Sequence, residues 1–117
     1  MKIIFRNKKL QKLCTQKKEM QKALGPEMAR KLQTRMTELS AADTLEDMTH
    51  LPQARLHELS GDRKGQFSLD LKHPYRLLVV PCHDPVPQKA DKGIDLSAVT
   101  VVGVVEIEDT HSGKKKR

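Results

Sequence analysis

The spacing of apolar residues changes once along this chain of 117 residues, and that change constrains the fold more than any other feature of the sequence. Up to about residue 40 the apolar side chains recur at helical spacing, whereas from residue 56 onward they alternate with polar ones, as in strands. Only 3% of residues are aromatic and Trp is missing, so the core must be built from Leu, Val, Ile and Met. We therefore expect a single domain, residues 1–117, with a modest core.

Two helices are predicted in the first third of the chain. Residues 8–24 carry one apolar arc that is interrupted only by Lys17. Gly25 is typical of a helix end and Pro26 of a first helical turn, so they indicate a turn between two helices. A second stripe at helical spacing follows and consists of Met28, Leu32, Met36 and Leu39.

Strands are predicted on both sides of this helical hairpin. Residues 2–5 form a short apolar run at the N-terminal end, and residues 56–71 alternate between apolar and polar side chains. Residues 75–80 and 99–107 are nearly continuous apolar runs. The order predicts an α+β fold with a short N-terminal strand and a two-helix hairpin packed on a three- to four-stranded antiparallel sheet. Between the last two strands, residues 81–96 are rich in Pro and Asp and are predicted to be a surface loop.

The formal charge of +7 is concentrated at the two ends of the chain. Residues 1–35 hold 11 Lys and Arg against 2 acids, and residues 112–117 are predicted to be a flexible basic tail. Such a field favours polyanions such as RNA or DNA, and Lys12, Lys17 and Lys18 are candidate phosphate contacts. The alternative is that the lysine-rich helix faces only keep a small protein in solution.

Cysteine usage and the N-terminal sequence indicate a cytoplasmic protein. Cys14 and Cys82 are far apart and lack zinc-binding spacing, so we expect two reduced thiols, no metal and no cofactor. The apolar run at residues 3–5 is too short for a signal peptide or a membrane span.

Several cations and imidazoles are predicted to meet where the strands end. His57 precedes the turn that carries Arg63 and Lys64, Arg76 begins a central strand, and His111 follows the last strand. Cleaving RNA without a metal requires a group that takes the proton of the 2′-hydroxyl, a donor for the leaving 5′ oxygen, and cations beside the phosphate. Imidazole and guanidinium groups meet these requirements near neutral pH.

Each of these residues also has an ordinary structural interpretation. A single His on a strand is more often solvated or packed than catalytic. Arg76 is also compatible with an ion pair to an acid on the sheet surface. Asp109 to His111 is compatible with a turn in which the aspartate bonds to nearby backbone.

The order of these residues resembles a known family. "LHELSGDRKGQFSLDLKHPYRLLVV" and "VVEIEDTH" are similar to two segments of the HigB toxins, within the RelE/ParE superfamily, and the resemblance covers about residues 56 to 111. It implies a RelE-like fold and the toxin of a type II toxin-antitoxin pair, which cuts mRNA in the ribosomal A site without a metal. The cleavage uses the 2′-hydroxyl and leaves a 2′,3′-cyclic phosphate.

The resemblance also implies roles and partners. His111 matches the terminal catalytic histidine, Arg76 the arginine at the scissile phosphate, His57 the strand histidine, and Asp109 the acid of the ending. A helix-turn-helix antitoxin similar to HigA is the expected partner, and DNA is contacted only through the toxin-antitoxin complex.

Three departures from the family pattern leave other functions open. Thr110 stands where the family usually has Tyr, Ser60 where many members carry Lys, and the connection at residues 81–96 is longer than usual. The alternatives are a superfamily member that does not cleave RNA, either a ParE-like gyrase poison or a toxin remnant that only binds its antitoxin, and a plain RNA-binding module.

Overall fold

The computed structural model describes residues 1–110 and confirms the predicted α+β class, including the short N-terminal strand. His111 and the predicted tail at residues 112–117 lie outside the described residues. No helix of the described part is both long and apolar enough to cross a membrane. The helices are α1 (Lys8–Thr15), α2 (Lys17–Leu24) and α3 (Pro26–Ala41), and the strands are β1 (Lys2–Phe5), β2 (His57–Glu58), β3 (Phe67–Asp70), β4 (Tyr75–Pro81) and β5 (Val101–Asp109).

The first arm of the predicted helical hairpin is divided into two helices at Gln16. This residue has an extended backbone, with φ −111° and ψ 115°. With the break, Lys17 is exposed while Met20 is buried. The one charged residue in the predicted apolar arc therefore stays out of the core. At the other end of α2, Gly25 adopts φ +82°, a conformation that favours glycine, and Pro26 begins α3.

The five strands form one mixed sheet in the order β1-β5-β4-β3-β2. The pairs from β2 to β5 are antiparallel, as predicted, whereas β1 pairs with β5 in parallel. The register of β4 and β5 shifts between Leu78 and Val79, because Leu78 lies opposite Glu106 and Val79 opposite Val104. Val105 is thus an extra residue in β5, which is a β-bulge.

One face of the sheet packs against the helices and holds the core. Leu32 and Leu39 of α3 are fully buried against Leu69, Leu77 and Val104 of the sheet. Because side chains alternate along a strand, the residues between these point to the other side. We call that side the open face, and it carries His57, Ser68, Asp70, Arg76, Leu78, Glu106 and Glu108.

The β2–β3 connection folds across the open face. Arg63 lies in its 3₁₀ turn, Gly61–Arg63, yet its guanidinium reaches Glu108 on β5, which is three strands away from β2 in the sheet. The connection therefore passes over the middle of the sheet. On the same open face, Ser68 and Leu78 are buried although neither faces the helices.

Candidate functional site

Two arginines converge on one carboxylate on the open face. Arg76 donates from Nε to Glu108 Oε1 at 2.7 Å, and its Nη2 lies 2.7 Å from the same oxygen. Arg63 donates from Nη1 to Oε2 at 2.6 Å. We call these three residues the arginine cluster. Burial alone would raise the pKa of Glu108, but the hydrogen bonds and positive charges of Arg76 and Arg63 outweigh burial and lower it. The carboxylate is thus ionised at neutral pH, and the cluster has a net charge of +1.

The β-bulge in β5 determines which residue faces Arg76. In the register of Val79 and Val104, Arg76 would lie opposite Ile107. The extra residue shifts the pairing by one, so that Glu108 lies opposite Arg76 and its side chain points to the open face. The register of the sheet therefore brings Arg76 and Glu108 together, and the β2–β3 connection supplies Arg63.

A cleft of about 190 Å³ lies at the start of β4, beside the arginine cluster. Arg55 and Asp70 form one wall through an ion pair of 2.8 Å between Nε and Oδ2. Arg55 has φ +47°, an uncommon conformation for a residue with a side chain. We call this the arginine cleft, and it is lined by Arg55, Asp70, Leu71, His73, Pro74, Tyr75, Arg76 and Thr110.

The end of β5 is fixed at the rim of the arginine cleft. Thr110 donates its backbone N–H and its hydroxyl to the carbonyl oxygen of Pro74, at 3.1 and 3.0 Å. Asp109 pairs with Tyr75 across the two strands. His111, the next residue in the sequence, lies outside the described residues.

The structure separates the predicted site residues into three groups. Arg63 and Arg76 share Glu108, and Asp109 ends the neighbouring strand. His57 is exposed on β2, and standard sheet spacings put its Cα atom roughly 12 Å from that of Arg76. The other predicted RNA contacts are all exposed, with Lys64 after the Gly61–Arg63 turn and Lys12, Lys17 and Lys18 on α1 and α2.

Sequence reasoning missed two residues that the structure places at the site, Glu108 and Arg55. The sequence is compatible with an ion pair between Arg76 and an acid but does not identify that acid. Its one signal is the alternation in β5, which puts Glu108 on the same face as Glu106. Arg55 lies in an irregular connection and had no recognisable signal. Residues 1–110 contain no group of three His, Cys, Asp or Glu side chains placed to hold a metal ion.

Comparison with known proteins gives one family match. The model of the HigB-like toxins, described as the RelE-like toxin of type II toxin-antitoxin system HigB, matches residues 3–83. This span runs from β1 past the end of β4 and includes His57, Arg63 and Arg76, whereas Glu108, Asp109 and His111 follow it. No curated protein matches the chain.

Proposed function

This chain belongs to the HigB-like family of RelE-like toxins from type II toxin-antitoxin systems, and from that membership we propose that it is a ribosome-dependent endoribonuclease that cuts mRNA and inhibits translation. A toxin of this class has an antitoxin partner. We propose that the antitoxin carries a helix-turn-helix domain and that only their complex contacts operator DNA.

The observation that carries this proposal is the convergence of Arg63 and Arg76 on one carboxylate. Two guanidinium groups that clamp a carboxylate have the planar donor geometry that also suits a phosphate. Within residues 1–110 the N–H groups of Arg76 and Arg63 that do not contact Glu108 have no protein acceptor. Arg76 lines the arginine cleft, so those of its N–H groups that do not contact Glu108 can donate to the oxygens of an RNA phosphate placed there.

The proposed reaction is a transesterification within the RNA. The 2′-oxygen attacks phosphorus as its proton passes to a base, and the P–O5′ bond breaks as the 5′ oxygen receives a proton from an acid. The products are a 2′,3′-cyclic phosphate and a free 5′-hydroxyl. Arg76 stabilises the charge that grows on the phosphoryl oxygens, since its guanidinium is fixed before the substrate arrives.

Two proton transfers need two groups. We assign one to His111 and the other to Asp109 or His57, which occupy different places on the sheet. Comparing Asp109→Asn with His57→Ala identifies the second group, because only the catalytic one lowers the rate of cleavage without changing RNA affinity.

The lysines of α1 and α2 suit a second, non-catalytic contact. Lys12, Lys17 and Lys18 are exposed on the helical layer, on the opposite side of the sheet from the arginine cluster. We propose that they bind phosphates of ribosomal RNA while the open face meets the mRNA.

Expression in bacteria tests the proposal. The wild-type chain should stop growth and shorten cellular transcripts, and His111→Ala and Arg76→Gln should relieve the arrest. Matched controls are His50→Ala and Arg30→Gln, which replace exposed side chains outside the site and should remain toxic. Growth arrest with intact mRNA and broken DNA would instead support a gyrase poison.

A further inference from the structure

We propose that the groove between the α2–α3 turn and the β3–β4 turn is a nucleobase-binding subsite in which Tyr75 stacks on a base of the RNA. This inference rests on the proposed function, because it describes how the same site binds its RNA substrate. We call this region the turn groove. It is lined by Ala23, Leu24, Gly25, Pro26, Glu27, Met28, Lys72, His73, Pro74 and Tyr75.

The size and lining of the turn groove suit a planar heterocycle. Its volume is about 550 Å³, within the range of small-molecule sites. Leu24, Pro26 and Met28 supply apolar walls on the helix side, and Tyr75 supplies an aromatic ring on the sheet side. Such a lining matches the faces of a base, whereas a site that bound phosphate alone would need polar walls.

Tyr75 differs from the other aromatic residues in its exposure. Phe67 is 3% exposed and belongs to the core, and Phe5 packs against the core, but Tyr75 is 36% exposed. Of the large apolar side chains in the described part, only Ile4 and Tyr75 are exposed to this degree. A ring that contributes little to the core is available to a ligand, and stacking between a base and an aromatic side chain is a strong, sequence-tolerant contact.

The turn groove adjoins the proposed phosphate site. His73, Pro74 and Tyr75 line both the turn groove and the arginine cleft, so they form a ridge between the two. The next residue is Arg76, which belongs to the arginine cluster. An RNA with one phosphate in the arginine cleft would therefore cross this ridge and place a neighbouring base in the turn groove.

The cation Lys72 lies at the rim of the turn groove. Lys72 Nζ lies 3.7 Å from Glu27 Oε1 in an ion pair whose two side chains are largely exposed. An exposed pair of this kind is weak, so Lys72 can exchange its carboxylate for an RNA phosphate. Thr110, after the end of β5, has no ring that could stack on a base. In this chain the stacking group is therefore Tyr75 of β4.

The intrinsic fluorescence of Tyr75 tests the inference directly, because the chain contains one Tyr and no Trp. The purified full chain, free of antitoxin, is titrated with a 2′-O-methyl trinucleotide, which cannot be cleaved, and with an abasic trinucleotide that keeps the phosphates. We expect the base-bearing probe to quench the emission, because a base stacked on the ring of Tyr75 contacts it directly. The abasic probe should leave the emission unchanged.

Affinities measured with labelled probes show whether the aromatic ring of Tyr75, and not merely an apolar side chain at this position, binds the base. Tyr75→Leu should weaken binding of the base-bearing trinucleotide by roughly 5- to 150-fold, the range expected for one stacked base, whereas Tyr75→Phe should stay within about twofold of wild type. Both variants should bind the abasic probe as wild type does. Phe5→Leu is the matched control, since it removes a ring outside the turn groove.

The inference is overturned if the two probes quench Tyr75 equally, if Tyr75→Leu binds the base-bearing probe normally, or if the free protein does not bind that probe. These outcomes do not depend on cleavage. The proposed function fails separately, through intact mRNA in cells that express the wild-type chain.

Discussion

Removing the carboxylate of Glu108 should destabilise the protein, because this one group satisfies both arginines of the arginine cluster. Its side chain is 10% exposed, and those of Arg76 and Arg63 are 25% and 38% exposed. Glu108→Ala leaves two guanidinium groups close together without their shared acceptor. A charged hydrogen bond of this kind contributes about 1.5–3 kcal/mol when buried, and the more exposed Arg63 contributes less than about 1 kcal/mol. The expected loss in the free energy of unfolding is therefore about 2–3 kcal/mol.

Thermal unfolding of the purified protein at pH 7 measures this loss. For a chain of this size, about 2–3 kcal/mol corresponds to a fall in Tm of roughly 10 °C. Glu106→Ala is the matched control, since Glu106 lies on the same face of β5 and forms no ion pair within residues 1–110. We expect it to change the stability by less than about 0.5 kcal/mol. Equal Tm values for the two variants would refute the argument.

The pH dependence of the stability tests the role of Glu108 in a second way. The pKa of Glu108 is lower in the folded protein than in the unfolded chain, where it is about 4.3. The stabilisation is thus complete well above pH 4.3 and is lost as the pH falls through the folded value. The difference in stability between wild type and Glu108→Ala should shrink below about pH 4. A difference that stays constant or grows in acid would contradict the assignment.

Two further predictions concern the rest of the fold and the proposed ribosome contact. Arg35 is 3% exposed and donates to the carbonyl oxygens of Asp70 and Gln53, so Arg35→Met should cost about 2–4 kcal/mol in a urea melt. The exposed Arg30→Met should cost under about 0.5 kcal/mol, and equal costs would contradict the role of Arg35. Replacing Lys12, Lys17 and Lys18 by Gln should weaken ribosome binding and flatten its salt dependence while leaving Tm within a few degrees; an unchanged salt slope would exclude the proposed contact.

The elements of the fold were predictable because each leaves a local signal. The Gly25-Pro26 pair and the switch from helical to alternating spacing predict a helical hairpin followed by strands, and the structure has both. The break at Gln16 was not predicted, since the side chains of residues 8–24 continue one apolar arc apart from Lys17. The parallel pairing of β1 with β5 was not predicted either, because it joins the two ends of the sequence.

The candidate site was predictable only in part, because it depends on contacts between distant residues. Arg63 and Arg76 were predicted as cations that meet where the strands end. That they share Glu108 depends on the extra residue Val105 in β5 and on the path of the β2–β3 connection. Neither feature has a sequence signal of its own, so the carboxylate that organises both arginines emerges only from the structure.

The proposed activity is tested most directly by mapping the ends of a defined mRNA on purified ribosomes that have stopped with an empty A site. The account predicts cleavage in the A-site codon only when ribosomes are present, with a 2′,3′-cyclic phosphate on the upstream fragment, and no cleavage by Arg76→Gln or His111→Ala. Intact mRNA with the wild-type chain, or cleavage that persists in both variants, would contradict it.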